Sequence, residues 1–299
     1  MDFLKPRLQA LLALLQRIDG RYFLFGSHLT LFYVAVTQYG LPRTQFQIVS
    51  AYVTAVVTEI VLHYWTRKYP NASLGDRIFS AFSEAAGLLL LVRSGLPEYY
   101  IFGCFLTVAS KYVFVRPDGV HIFNPTNFAI VVGLAVFPNH YFQLFADEYS
   151  IQNYPIFHVM AFGLGAIIFG RVWAVTLGWF VGILSLGGIM QLFHDTGFRH
   201  VVYPELGAFA MIFAFLMITD PRTTPGSHRL RFIFGLSVAV VVTVLRQNHV
   251  AFPNFVGLFI VTCTTYALSL RWPWIYKKPQ GLVTQTDLRG ASAVQRATL

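Results

Sequence analysis

The sequence predicts an all-α polytopic membrane protein of about ten transmembrane helices, and three observations predict it. Of 299 residues, 56% are hydrophobic and only 12% charged, with a clearly positive mean hydropathy, the composition of a chain that lives in lipid. Apolar runs near the ~20 residues needed to cross hydrocarbon recur from end to end. Lysines and arginines are scattered between those runs instead of lining one face. The formal net charge of +9 therefore marks membrane topology and not a nucleic-acid footprint. The 16% aromatic content, with 29 Phe, fits lipid-facing and interfacial positions.

The chain opens with "MDFLKPRLQALLALLQRIDGR", residues 1–21. Phe3, Leu4, Leu8, Leu11, Leu12, Leu15 and Ile18 recur at helical spacing opposite Lys5, Arg7, Gln9 and Arg17. That is an amphipathic helix lying on the membrane surface. Charges run through it and no A-x-A-like exit follows, so it does not read as a cleavable signal.

Apolar segments follow near 22–40, 45–65, 77–94, 97–115, 122–138, 155–171, 172–193, 204–219, 230–246 and 253–271. Arg171 marks the junction of the sixth and seventh, which could instead be one interrupted region. An even number of crossings puts both termini on one side. Of the 22 Lys and Arg, 18 fall on that side, leaving Arg43, Arg93, Arg199 and Arg246 opposite, which makes it the cytoplasmic side. The longest opposite loop, "NHYFQLFADEYSIQNY", holds Asp147 and Glu148 and no Lys or Arg. The transmembrane domain thus covers 22–272. Residues 273–299 lose the apolar period and form a short, basic cytoplasmic tail, disordered by composition.

Little in the chain resembles soluble catalytic machinery. There is no Gly-rich nucleotide loop, Cys-x-x-Cys pair or metal-spaced His cluster. Cys104 and Cys263 both sit in apolar runs and read as small buried hydrophobes; an iron–sulfur centre would need thiolates from a partner. Chemistry must come from a bound cofactor or from passage of a solute.

The membrane part turns polar at two places, "KYVFVRPDGVHIFNPTNF" and "FAFLMITDPRTTPGSHRLRF". Each has an Asn-Pro or Asp-Pro step followed by Thr: Asn124, Pro125 and Thr126 in one, Thr219, Asp220, Pro221 and Thr223 in the other. Proline removes an amide donor and the residue before it prefers extended backbone, so both helices should break there. At a surface loop such a break is an ordinary cap. At membrane depth it must be buried in protein or line a cavity, where its free amides suit a ligand.

Two carboxylates fall inside predicted spans. Glu59 reads as a membrane-end carboxylate paired with Lys68 or Arg93. Glu84 lies deeper and is read equally as a structural carboxylate or as a proton or cation site. His28 and His158 read as core hydrogen-bonding histidines, and Trp173, Trp179 and "RWPWIY" as interfacial anchors. Gly178 and Gly182 make a Gly-x-x-x-Gly that suits internal packing or a dimer face.

These stretches carry a resemblance. "HIFNPTNF", "FAFLMITDPRTTP", the extension "SKYVFVRPDGVHIFNP" and the opening "IDGRYFLFGSHLTLFYVAVTQYG" resemble the NqrB/RnfD family. Its members are membrane components of the sodium-pumping NADH:quinone reductase and of the Rnf electron-transport complex. The likeness runs from about Asp19 to Trp272. It implies an inverted-repeat bundle similar to urea transporters, with broken helices, in the bacterial cytoplasmic (inner) membrane. It further implies a flavin, FMN or riboflavin, lined by the Asn-Pro-Thr and Thr-Asp-Pro residues, and other membrane subunits of a redox complex as partners. The family's Ser-Gly-Ala-Thr attachment stretch is absent, so the expected flavin is noncovalent. Two rival expectations stand beside an electron-transfer subunit: a channel or transporter for a small polar solute, and an accessory structural subunit of an energy-converting complex.

Overall fold

A computed structural model describes residues 20–38, 40–69, 73–137, 143–144, 156–193, 195 and 197–277. The expected surface helix of residues 1–21, apart from its last two residues, most of the acidic loop and the tail from 278 lie outside the described residues.

The described chain is mostly helical. The first half comprises α1 (Gly20–Gln38), α2 (Gln45–Thr66), α3 (Leu74–Leu91), α4 (Pro97–Val113) and α5 (Pro125–Val136). The second comprises α6 (Ile156–Phe169), α7 (Trp173–Phe193), α8 (Gly197–Val202), α9 (Ala208–Ile212), α10 (His228–Gln247) and α11 (Pro253–Arg271). Two-residue strands β1 (Val92–Arg93) and β2 (Gln143–Leu144) pair antiparallel.

Helix starts follow side-chain caps. Thr44 and Gln47 exchange a capping box at α2, Ser73 accepts from Asp76 N at α3, and Ser227 accepts from Leu230 N at α10. Each fills an amide that the first turn cannot satisfy. Asn124 does the same for Asn127 N at 3.0 Å, with Pro125 next in line where its missing N–H costs nothing. The sixth and seventh apolar segments are separate helices, divided at Arg171, which sits in the left-handed region at φ 54°.

The expected count of ten crossings is corrected. Among the described residues four helices are long and apolar enough to cross a membrane: α2, α7, α10 and α11. A fifth is added if Gly197–Leu206 and Phe209–Met217, bent by 72° to each other, form one span. The fold thus fits an all-α membrane protein but not ten full-length helices. The physical reason lies in what a hydropathy window counts. α5 has 12 residues and α6 has 14, about 18 and 21 Å of helix at ~1.5 Å per residue, short of the ~30 Å hydrocarbon core. α3 carries Asp76, Arg77 and Glu84, and its run Ala85–Leu91 is apolar because it is buried in protein. The 204–219 segment is no straight helix: a 3-10 turn, α9 and a π turn at Phe213–Met217 succeed one another.

α7 and α10 pack closest. A Cβ on Gly178 would collide with Phe232 O, and one on Gly235 with Val175 O. The Gly-x-x-x-Gly face is therefore spent on contact inside the chain. Trp179, expected at the interface, is fully buried, its ring 5.3 Å from Phe213; Trp173, Trp272 and Trp274 are exposed. His158 is exposed too, on the first turn of α6, and not a core histidine.

Candidate functional site

One cavity of about 610 Å³ lies where the two polar stretches meet. α3 supplies a continuous wall from Asp76 to Leu91, a length of roughly 22 Å at the α-helical rise. The loop 116–121, the start of α5, the 212–226 segment, Phe25 and His28 of α1, Tyr69 and Tyr276 supply the rest.

The loops are shaped by local chemistry. In Arg116–Pro–Asp–Gly119, Gly119 takes φ +80° and returns its N–H to Arg116 O at 3.0 Å, a conformation that glycine adopts without the Cβ penalty. Arg116 then grips Asp118 with two bonds of 3.1 and 2.8 Å, reaches Arg222 O at 3.3 Å, and lies 3.9 Å over the Tyr276 ring. The 220 turn is closed by Asp220, whose Oδ1 accepts from Arg222 N at 2.9 Å.

Three side chains join the two polar stretches, which lie about a hundred residues apart. Asn124 Nδ2 donates to Met217 O at 3.3 Å, Arg116 reaches Arg222 O, and His121 Nε2 lies 3.3 Å from Asp220 Oδ2. Burial holds the His121 imidazole below its usual value, against the upward pull of Asp220; Arg222 adds to the lowering and Glu84 opposes it. Burial alone would raise Asp220, but its bond to His121 and the Arg222 amide and charge bring its carboxyl below the ordinary range. The pair is a neutral imidazole beside a carboxylate.

Of the residues expected at a site, Asn124, Pro125, Thr126, Asp220, Pro221 and Glu84 line the cavity. Thr219 and Thr223 do not. They are buried beside it and turned to backbone, Thr219 to Phe215 O and Thr223 to Asp220 O at 3.4 Å. The chain matches no family model and no curated protein.

Glu59 has partners other than those expected, and Glu84 is paired as well. Glu59 is fully buried; Arg77 Nε reaches its Oε1 at 2.7 Å, Lys111 Nζ its Oε2 at 2.8 Å, and the Tyr112 hydroxyl also donates to it. Lys68, one of the two expected partners, donates instead to Tyr112 O. Glu84 pairs with Lys111 at 2.8 Å and accepts from Ser80 at 2.8 Å. The surface pairing fails because the first turn of α3 brings Arg77 back onto α2, eighteen residues after Glu59, a tertiary contact that helical spacing cannot register.

Sequence reasoning misses Arg77, Arg116 and Thr224 as lining residues. Scattered arginines read as topology determinants, although "VRPDG" lies inside one of the two polar stretches. Thr224 Oγ1 is buried with no partner among the described residues. His28 also lines the cavity, with Nδ1 2.9 Å from Ser83 Oγ. No group of three metal-ligating side chains occurs among the described residues.

Proposed function

We propose that the cavity binds a flavin noncovalently, FMN or riboflavin, and that the protein is an electron-transfer subunit or redox partner within a membrane energy-converting complex. The observation that carries the reading is the convergence of Asn124–Thr126 and Asp220–Pro221 on one cavity. These are the stretches on which the family resemblance rests. The cavity volume falls within the ~300–1,000 Å³ typical of small-ligand sites.

The lining fits the group. Phe25, Phe79 and Tyr69 supply apolar and aromatic wall for a planar ring, while Ser83, Thr126 and Asn124 mix donors and acceptors for its polar edge. Thr224 lines the same wall, its buried hydroxyl without a partner among the described residues. The α5 N-terminus at Pro125 and Thr126 brings the positive end of a helix dipole to the cavity. A bound flavin would supply one- and two-electron transfer, chemistry that no side chain here supplies. The chain's part is to hold the ligand, exclude water and fix the charges around it. On this reading the fold is an inverted-repeat bundle similar to urea transporters, placed in a bacterial inner membrane with both termini cytoplasmic. Reporter fusions after residues 118 and 285 should then both read cytoplasmic.

The purified protein should show a flavin absorption spectrum, and acid precipitation should release that flavin to the supernatant. Flavin retained in the pellet would mean covalent attachment. A colourless protein would sink the flavin reading and favour a second one, passage of a small polar solute, which the length of the cavity along α3 supports.

A further inference from the structure

We propose that Arg77 is a ligand-binding residue of this cavity, its guanidinium donating to an acceptor oxygen of the bound molecule, with Glu59 as the residue that positions it. The inference rests on the cavity being a ligand site and assigns a recognition role to a residue that sequence reading takes for a topology determinant.

Arg77 is buried and lines the cavity. Its Nε is committed to Glu59 at 2.7 Å, and its guanidinium lies 4.3 Å over the Tyr69 ring and 5.2 Å from that of Tyr112. Glu59 is itself held by Lys111 and Tyr112, so the fork is fixed from behind. Nη2 is nevertheless buried with no hydrogen-bond partner among the described residues. A buried guanidinium N–H left unmade is costly, more so than a neutral donor. Structural arginines elsewhere in this chain do not carry that cost at the cavity. Arg43 spends Nε and Nη2 on the carbonyls of Leu89 and Val92, and Arg231 its Nε and Nη1 on those of Pro225 and Arg171. An orphaned donor on a rigid, charged fork at a cavity wall is the arrangement of a recognition group awaiting an acceptor.

The acceptor can be a ring carbonyl or a phosphate ester oxygen; the shared chemistry is an oxygen acceptor on an aromatic ligand. The test uses the full chain in detergent with riboflavin, FMN and inorganic phosphate as probes. It compares wild type with Arg77→Lys, which keeps a cation for Glu59 but loses the planar fork, and with Thr224→Val. Binding is read by quenching of flavin fluorescence and by the shift in unfolding midpoint, with ligand-free midpoints as the folding control. We expect Arg77→Lys to weaken binding about tenfold or more, the scale of one charge-assisted bond, while its ligand-free midpoint stays near wild type. Should Arg77→Lys not fold, Glu59→Gln takes its place: the fork is then present but unanchored, and binding should weaken in folded protein.

Riboflavin and FMN both losing affinity assigns the ring carbonyls. FMN and phosphate responding while riboflavin does not assigns the phosphate, and then Arg77 stands while the flavin-ring reading falls. Equal binding by wild type and the folded Arg77 or Glu59 variant overturns the assignment and leaves the flavin reading intact. No probe binding to wild type overturns both.

Discussion

Two carboxylates, Glu59 and Glu205, are buried and each meets an arginine, yet they serve different ends. The Glu205 cluster is closed. Arg246 Nη2 bonds one oxygen and Asn254 Nδ2 donates to the other at 2.9 Å. Asn254 Oδ1 accepts from Arg246 at 3.1 Å, and Arg246 Nη1 donates to Val201 O at 3.3 Å. None of these residues lines the cavity. The Glu59 cluster is just as well satisfied at its carboxylate, but one of its cations, Arg77, lines the cavity and keeps a buried donor unpaired. The difference teaches that burial and pairing do not mark a site. An unclosed hydrogen bond at a cavity wall does.

The largest effect should come from removing either carboxylate. Glu59→Ala strands the buried Arg77 and should cost about 3–5 kcal/mol, while Glu205→Ala leaves the partly exposed Arg246 unpaired and should cost less, each read as a fall in unfolding midpoint in detergent. A Glu205 loss as large as the Glu59 loss would show that exposure of the cation does not soften the cost. A Glu59 variant as stable as wild type would break the comparison.

Glu84→Gln is milder, because Lys111 keeps Glu59 as a partner. Loss of one charged contact at a partly exposed carboxyl should cost about 1–3 kcal/mol at most, with altered ligand binding in protein that still folds. Loss of folded protein would assign Glu84 to structure alone. Asp220→Ala removes the Arg222 turn bond and the His121 contact and should cost roughly 1 kcal/mol, more if His121 is left buried and unpaired. A midpoint unchanged on that substitution would show that the two polar stretches do not support each other.

The smallest effect is on pH dependence. Because His121 is held neutral in the fold, the unfolded chain takes up its proton first. Stability should therefore decline as pH falls below roughly 6.5, the ordinary imidazole value. The lowered Asp220 acts in the same direction, its contribution being lost only in the acid range below the ordinary carboxylate value. His121→Gln should flatten the midpoint-against-pH curve between about pH 6.5 and 5 and reduce, without abolishing, the loss at lower pH, since the Arg222 amide and charge still lower Asp220. An unchanged curve would remove His121 from the account.

Much of this is legible in the sequence. Composition declares a membrane protein, and the apolar runs at 45–65, 172–193, 230–246 and 253–271 are α2, α7, α10 and α11 nearly to the residue, because long helices are written in local periodicity and capped by local residues. The breaks at Asn124 and Asp220 are legible for the same reason: proline's missing amide is a property of one residue. What hydropathy cannot separate is an apolar helix facing lipid from one facing protein, since both exclude water. Buried α3 and short α5 and α6 therefore read as crossings, and Trp179 as an interfacial anchor. Only the tertiary structure decided that Glu59 belongs to Arg77 and Lys111, that Gly178 serves α10, and that His121 meets Asp220. The charged pairs join residues on different elements, 18 to 99 apart in the chain, and electrostatic pairing depends on distance in space, to which sequence separation is no guide.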